Sequence, residues 1–287
     1  MSRSVLGTRS WRLLAVLSAA MMIAAGCAAP TPISTQPAAT AARATDSPAA
    51  QASLDAARKA IEAGNFDEAI KQAQEAIAAS PDNSVAHYVL GNAYNQMAPT
   101  QADIQQRQAT LAKAVDAYLK AIALDPQNDA ALTNLATVYY QNGQFDEAQK
   151  RVEQALAIKP NDPTSQYVLG TILLQRNPEE HPEALDQAQA AFEAATRSDP
   201  QMSAAFIGLA NVYLFKGDAQ KALEYAQKGV DLSQSAPNPY AYWALAQAQC
   251  VSGDFSAGAQ TIEKIYTFSN SEPLFLQQVR ALAERCK

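Results

Sequence analysis

Gly143-Gln144-Phe145-Asp146-Glu147-Ala148 repeats, with one change, the earlier phrase Gly64-Asn65-Phe66-Asp67-Glu68-Ala69, and a weaker copy follows as Gly253-Asp254-Phe255-Ser256-Ala257-Gly258. A second phrase recurs alongside it: Leu90-Gly91-Asn92-Ala93-Tyr94, Leu135-Ala136-Thr137-Val138-Tyr139 and Leu209-Ala210-Asn211-Val212-Tyr213. Prolines at Pro81, Pro126, Pro160 and Pro200 are separated by 45, 34 and 40 residues. Self-similarity at a period of roughly 20 to 50 residues encodes a stack of like supersecondary units.

The residues between the phrases read as helices. Hydrophobic residues make up 48% of the chain but aromatics only 7%, the difference being Ala, Leu, Ile and Val. Runs such as Ala73 to Ala79 and Ala188 to Ala195 suit closely packed helices, because Ala forms helix readily and its small side chain lets backbones approach. No stretch of alternating β-branched residues suggests a strand. Within each period two helical stretches flank a glycine, which can take the left-handed conformation that ends a helix. Asp67 and Asp146 then stand near the next helix start. A proline closes the second stretch. Small residues at Gly91, Ala136, Gly170 and Ala210 predict a close crossing of the two helices, and Phe66, Phe145 and Phe255 are expected to plug the gaps between units. One short helix pair cannot bury its apolar face alone, so neighbours must stack.

These phrases resemble the tetratricopeptide repeat (TPR), whose 34-residue pattern runs Leu-Gly, Tyr, Gly-x-Phe/Tyr, Ala and finally Pro. Counting through gives six units, 50–83, 84–128, 129–162, 163–202, 203–238 and 239–272, with insertions of about 11 and 6 residues between the helices of units two and four. The last two units depart from the pattern: the closing Pro is missing, and Gly229 and Gly258 replace Ala. Residues 273–287, with Leu274, Leu276, Val279 and Leu282, read as a capping helix. The resemblance implies an all-α fold, a right-handed superhelical α-solenoid of about six TPR units.

The N-terminus reads as an address. Arg3, Arg9 and Arg12 precede an apolar run from Leu13 to Ile23, which fits the core of a signal peptide over residues 1–26. Ala24-Ala25-Gly26-Cys27 resembles the lipobox of bacterial lipoproteins, with Ala24 where that family prefers Leu. The resemblance implies lipidation at Cys27 and a place in the cell envelope, outside the cytoplasm, held to a membrane through the lipid anchor only. The plain alternative is an ordinary signal peptide with an incidental Cys. Residues 28–49, rich in Pro, Thr, Ser and Ala, have too little apolar bulk to fold and read as a flexible tether.

Three arginines and no acid lie in residues 1–26, so their removal takes the formal charge from -6 to -9. An acidic body without a basic cluster is a poor partner for nucleic acid. The only histidines, His87 and His181, have no Cys, Asp or second His at ligand spacing, so no metal and no cofactor is expected. No nucleophile elbow, phosphate loop or dinucleotide motif occurs, and an enzyme is not expected. Apart from Cys27, two cysteines remain. Cys250 falls late in the first helix of unit six and Cys286 near the end of the capping helix, at nearly the same level. We read them as a disulfide pinning the cap, the alternative being two unpaired thiols.

The resemblance also implies a binding face, a concave groove lined by the second, fifth, ninth, twelfth and thirteenth residues of each unit. In unit two these are Val85, Tyr88, Asn92, Asn95 and Gln96; in unit three, Ala130, Thr133, Thr137, Tyr140 and Gln141. Unit four contributes Thr164, Tyr167, Thr171, Leu174 and Gln175, and unit five Ala204, Ile207, Asn211, Leu214 and Phe215. Tyr240, Trp243, Gln247, Cys250 and Val251 follow from unit six. From unit two onward the lining carries no charge, so the Lys/Arg clamp by which chaperone-binding members hold a C-terminal carboxylate is missing. Tyr88, Tyr140, Tyr167, Phe215 and Trp243 are expected to hold apolar side chains of a protein or peptide partner, and Asn92, Asn211 and Gln247 its backbone. Two alternatives stand beside this: the residues pack between neighbouring first helices, or the tether fills the groove. The function expected is an anchored scaffold in envelope assembly or secretion. The competing expectations are a non-catalytic accessory subunit of an envelope peptidase or wall hydrolase, and a self-associating structural protein.

Overall fold

The computed structural model describes residues 47–176, 181–268 and 273–286; the signal, Cys27 and nearly all of the tether fall outside them. Thirteen α-helices and no strands occur among the described residues: α1 (Pro48–Glu62), α2 (Phe66–Ala79), α3 (Ser84–Met97), α4 (Ile104–Leu124), α5 (Asp129–Gln141), α6 (Phe145–Ile158), α7 (Pro163–Leu174), α8 (Ala184–Ser198), α9 (Ser203–Lys216), α10 (Ala219–Leu232), α11 (Pro239–Ser252), α12 (Phe255–Tyr266) and α13 (Pro273–Arg285). They divide into two compact units. One contains α1 to α6 as three helix pairs; the other contains α7 to α12 as three pairs, followed by α13.

Local chemistry accounts for the boundaries. Gly64, Gly143, Gly217 and Gly253 have φ of +73°, +74°, +79° and +89°, the left-handed region in which a side chain is strained. α2, α4, α6 and α8 each end two residues before Pro81, Pro126, Pro160 or Pro200, because the residue preceding a proline is forced out of helical geometry. The residues after those prolines then start the next helix. Ala86 N–H donates to the Asn83 side chain at 3.1 Å, Ala131 N–H to Asn128 at 2.9 Å and Ser165 N–H to Asp162 at 2.8 Å. Asp67 and Asp146, expected near caps, lie inside the first turns of α2 and α6, whose N-cap residues make no side-chain bond. Their charge there acts on the positive end of the helix dipole.

Pairs are held by rings seated on glycine. A methyl group placed on Gly91 of α3 would lie 2.6 Å from the Tyr118 ring of α4. In the other unit one ring serves two helices: Phe192 of α8 would meet a methyl on Gly170 of α7 at 2.8 Å and one on Gly208 of α9 at 2.5 Å. Both rings are essentially fully buried. α9 and α10 are joined by a stack in which Tyr213 lies parallel to Tyr225 at 5.4 Å and Tyr225 faces Phe206 at 6.5 Å. Lys221 closes one end over Tyr213 and Lys228 the other over Phe206.

Two expectations change. The insertion in unit two is mostly helix: only residues 98–103 separate α3 from α4, and the remainder extends α4 to 21 residues. The Asp103 carboxylate makes that possible by accepting from Gln105 and Gln106 N–H at the helix start. Phe255 does not plug a gap but stays 45% exposed. Five residues before Phe145 stands Tyr140, whose ring meets it edge-on at 5.6 Å. Five before Phe255 stands Cys250, which is already engaged.

Cys250 and Cys286 form a disulfide with Cα atoms 5.4 Å apart. Around it α11, α12 and α13 share a core of Trp243, Ala246, Ile262, Ile265, Phe275, Val279 and Leu282. The bridge explains why Gly258 replaces Ala: a methyl there would lie 2.6 Å from each sulfur. Closing a loop of 36 residues restricts the unfolded chain. In the chain-entropy account that contributes about 4 kcal/mol. Gly258→Ala is therefore expected to destabilise by about 1–3 kcal/mol through overpacking. In a Cys250→Ala, Cys286→Ala background the same change should cost almost nothing. Urea midpoints of the four proteins measure that coupling, and equal costs in both backgrounds would show that the sulfurs do not set the constraint.

Candidate functional site

Helices α3, α5, α7, α9 and α11 carry the residues expected to line the groove, and the structure places most of those side chains inside. Asn92, Tyr140, Tyr167, Asn211, Phe215, Trp243 and Gln247 are all 9% exposed or less; among the eight, Tyr88 alone is half-buried. Packing is what several of them do. Tyr140 meets Phe145, Tyr167 lies 5.9 Å from Phe192, and Trp243 meets Phe275 edge-on at 5.8 Å. As open anchors for a partner these three rings are corrected: each fills the space left where first and second helices, or the last pair and α13, converge.

Asn92 is corrected too. Its side-chain oxygen accepts from Tyr118 OH at 2.7 Å and from Asn134 Nδ2 at 2.8 Å, and the same Asn134 nitrogen lies 3.4 Å from Tyr88 OH. This network joins α3, α4 and α5. Burial raises the pKa of Tyr88 above its ordinary value, partly opposed by its hydrogen bonds to Asn92 and Asn134. Sequence reasoning missed Asn134 and Tyr118. Asn134 does not repeat in register, so nothing in the local pattern marks it; Tyr118 does have a counterpart, since Phe192 stands eight residues before Pro200 as Tyr118 stands eight before Pro126.

What remains is a set of polar atoms with no partner. Asn95 Oδ1 in the first unit, and Gln175 Nε2, Trp243 Nε1 and Gln247 Oε1 in the second, are buried side-chain atoms without a hydrogen bond. All four belong to positions assigned to the groove, whereas Asp125 Oδ2 and Asn128 Nδ2, also buried without a hydrogen bond, do not. A buried polar atom left unpaired costs about 1–3 kcal/mol, so native structures keep few of them without a reason.

Carboxylates on α1, α2, α6, α8 and α10 accept from Gln side chains one turn away, as in Glu68–Gln72 and Glu153–Gln149. His87 Nε2 lies 3.1 Å from the Pro81 carbonyl, and His181 lies beside Arg176 and Glu183. Among the described residues no group of three His, Cys, Asp or Glu could hold a metal ion, and no helix is long and apolar enough to cross a membrane.

Two family models described as tetratricopeptide repeat match the chain, one over residues 107–172 and the other over 54–96 and 183–237, together more than half of it. The Arabidopsis thaliana protein named Protein CTR9 homolog is 23% identical over 239 residues, 70% of this chain; the chain spans 21% of that relative's length. A tetratricopeptide repeat protein from Parabacteroides merdae has a similar structure, with a TM-score of 0.58 at 18% identity over 83% of this chain and 86% of that one. So does pilF of Pseudomonas aeruginosa, with a TM-score of 0.63 at 19% identity over 81% and 97%. At these identities the likeness concerns the fold.

The polar network makes two expectations measurable. Asn92→Leu removes the oxygen that accepts from both Tyr118 OH and Asn134 Nδ2 and should lower stability by about 1–3 kcal/mol. Tyr118→Phe should then cost less than it does in the unmodified protein, since its bond to Asn92 has already gone. A raised Tyr88 pKa means that the unfolded chain ionises first as pH rises. Stability from this group is therefore full below about pH 10 and is lost as pH climbs from there through the raised value. Urea midpoints between neutral and alkaline pH should show that loss, and Tyr88→Phe should reduce it.

Proposed function

Because the chain belongs to the tetratricopeptide-repeat family, we propose that it is an exported, lipid-anchored scaffold that binds a protein or peptide segment along its first helices and catalyses nothing. The observation that carries this reading is the presence of four unpaired buried polar atoms at groove positions, on Asn95, Gln175, Trp243 and Gln247. A face that keeps hydrogen-bonding capacity out of water is suited to a partner that supplies the missing groups. The lining is uncharged, which suits main chain or apolar side chains better than a charged terminus.

The N-terminal residues support the anchoring part. An arginine-bearing start, an apolar run of about a dozen residues and a Cys after small residues make up the pattern of an exported, lipidated chain. Several acyl chains at Cys27 hold durably where one holds weakly. The Cys250–Cys286 disulfide fits an oxidising compartment. The role that follows is an envelope assembly or secretion scaffold, its repeats lifted off the membrane by the tether.

Two measurements test this. Cys27→Ser should abolish incorporation of labelled palmitate and move the protein from the membrane to the soluble fraction; an unchanged distribution would remove the anchor. The soluble Cys27→Ser chain can then serve as bait on solubilised envelope, beside the same chain carrying Asn95→Leu and Gln175→Leu. A partner captured by the first and at least fivefold less by the second, at equal thermal stability, is the expected result. Equal capture, or none, would sink the groove reading.

A further inference from the structure

Tyr213 of α9 and Tyr225 of α10 lie in nearly parallel planes, 4° from one another, with ring centroids 5.4 Å apart. Parallel rings at that distance are offset, so the edge of one lies over the edge of the other. Tyr213 is buried and Tyr225 half-buried. Packing uses only the rings, and phenylalanine at both places would stack as well. The hydroxyls are what packing leaves unexplained. Neither has a hydrogen-bond partner among the described residues, and neither is one of the buried atoms that lack a partner, so both open to water. The tyrosine pair of the first unit is different. Tyr88 and Tyr118 lie 6.2 Å apart with planes tilted by 46°, and Tyr118 is fully buried, its hydroxyl bonded to Asn92.

Two stacked phenols with water at their hydroxyls are arranged for one-electron chemistry. Burial, with Tyr213, Glu224 and Glu193 acting the same way, raises the Tyr225 pKa, so its oxidation starts from the neutral phenol. The cations at the ends of the stack confine the reaction. Lys228 lies 4.3 Å over Phe206, where loss of an electron would leave a positive ring beside an ammonium. A tyrosine loses its hydroxyl proton together with the electron and ends neutral, so Lys221, 4.9 Å over Tyr213, does not oppose it. We propose that Tyr213 and Tyr225 are an oxidative cross-linking site, joined by a carbon–carbon bond between their rings when a haem peroxidase delivers the oxidising equivalents of hydrogen peroxide. The first equivalent takes an electron from Tyr225, the more accessible ring, and its proton passes to water. Tyr213 then gives an electron to Tyr225 and its own proton to water, while Tyr225 regains a proton. The second equivalent oxidises Tyr225 again. The two radicals join through ring carbons next to the oxygens, and each joined carbon passes its hydrogen to its oxygen to restore a phenol. In sum, two tyrosines and one hydrogen peroxide give one cross-link and two waters. The bond ties α9 to α10 across the Gly217 turn, as the disulfide ties α11 to α13.

The site stands apart from the scaffold reading and is tested without a partner. The full chain in detergent is treated with hydrogen peroxide and a haem peroxidase, digested with trypsin and mapped by mass spectrometry. Cleavage after Lys216 and Lys221 puts the two tyrosines on separate peptides. The expected product is those two peptides joined, lighter than their sum by two hydrogen atoms, with the fluorescence of dityrosine. Its yield per molecule should hold on dilution, because both rings belong to one chain. At the greatest dilution, where molecules rarely meet, Tyr213→Phe and Tyr225→Phe keep the stacked rings and should each lower that fluorescence at least fivefold. Tyr88 and Tyr118 should stay unlinked. No joined pair, a map that links other tyrosines and leaves these two free, or a yield of this pair that falls with dilution would overturn the site. The map of the unmodified protein needs no variant to fold.

Discussion

The structure depends on how closely paired helices approach. At Gly91, Gly170 and Gly208 there is no room for one methyl group, because an aromatic ring from the neighbouring helix occupies the space. At Gly258 two sulfurs occupy it. The absence of a side chain lets the ring lie directly on the partner's backbone, where dispersion contacts are densest. It costs helix propensity, about 1 kcal/mol per glycine relative to alanine. The burial of Tyr118 and Phe192 offsets that cost. Phe192 is the strongest case, since a single ring sets the spacing of α7, α8 and α9.

The same closeness decides what the first helices can present. Once neighbours are near, large side chains at groove positions are drawn into the seams. Tyr140, Tyr167 and Trp243 become packing rings, and Asn92 becomes the hub of a network with Tyr118 and Asn134. The chemistry that remains at groove positions is smaller and more polar than a row of aromatic anchors. It consists of single donors and acceptors on Asn95, Gln175, Trp243 and Gln247.

The last pair is built differently from the others. In the pairs α3–α4, α7–α8 and α9–α10 an aromatic residue of the second helix secures the crossing; in α11 and α12 a covalent bridge to Cys286 does so, with α13 sharing the core. A terminal unit has a neighbour on one side only, so it needs such a fastening more than interior units do.

The repeat, the helix ends and the fold class were legible because they follow from local backbone rules. A glycine before a new helix adopts positive φ, a proline stops the helix before it, and after Pro81, Pro126 and Pro160 an Asn or Asp caps the next. The fate of the groove residues was not legible. Asn92 and Tyr118 are 26 residues apart, and Asn92 and Asn134 are 42 apart. No periodic pattern records such a meeting. Exposure is a property of neighbours, and neighbours are fixed only when the helices dock. Sequence alone therefore determined an all-α repeat protein with left-handed glycine turns. Tertiary structure decided which groove side chains were spent on packing and which polar atoms were left without a hydrogen bond, because both depend on distances that exist only after the helices have closed on their glycines.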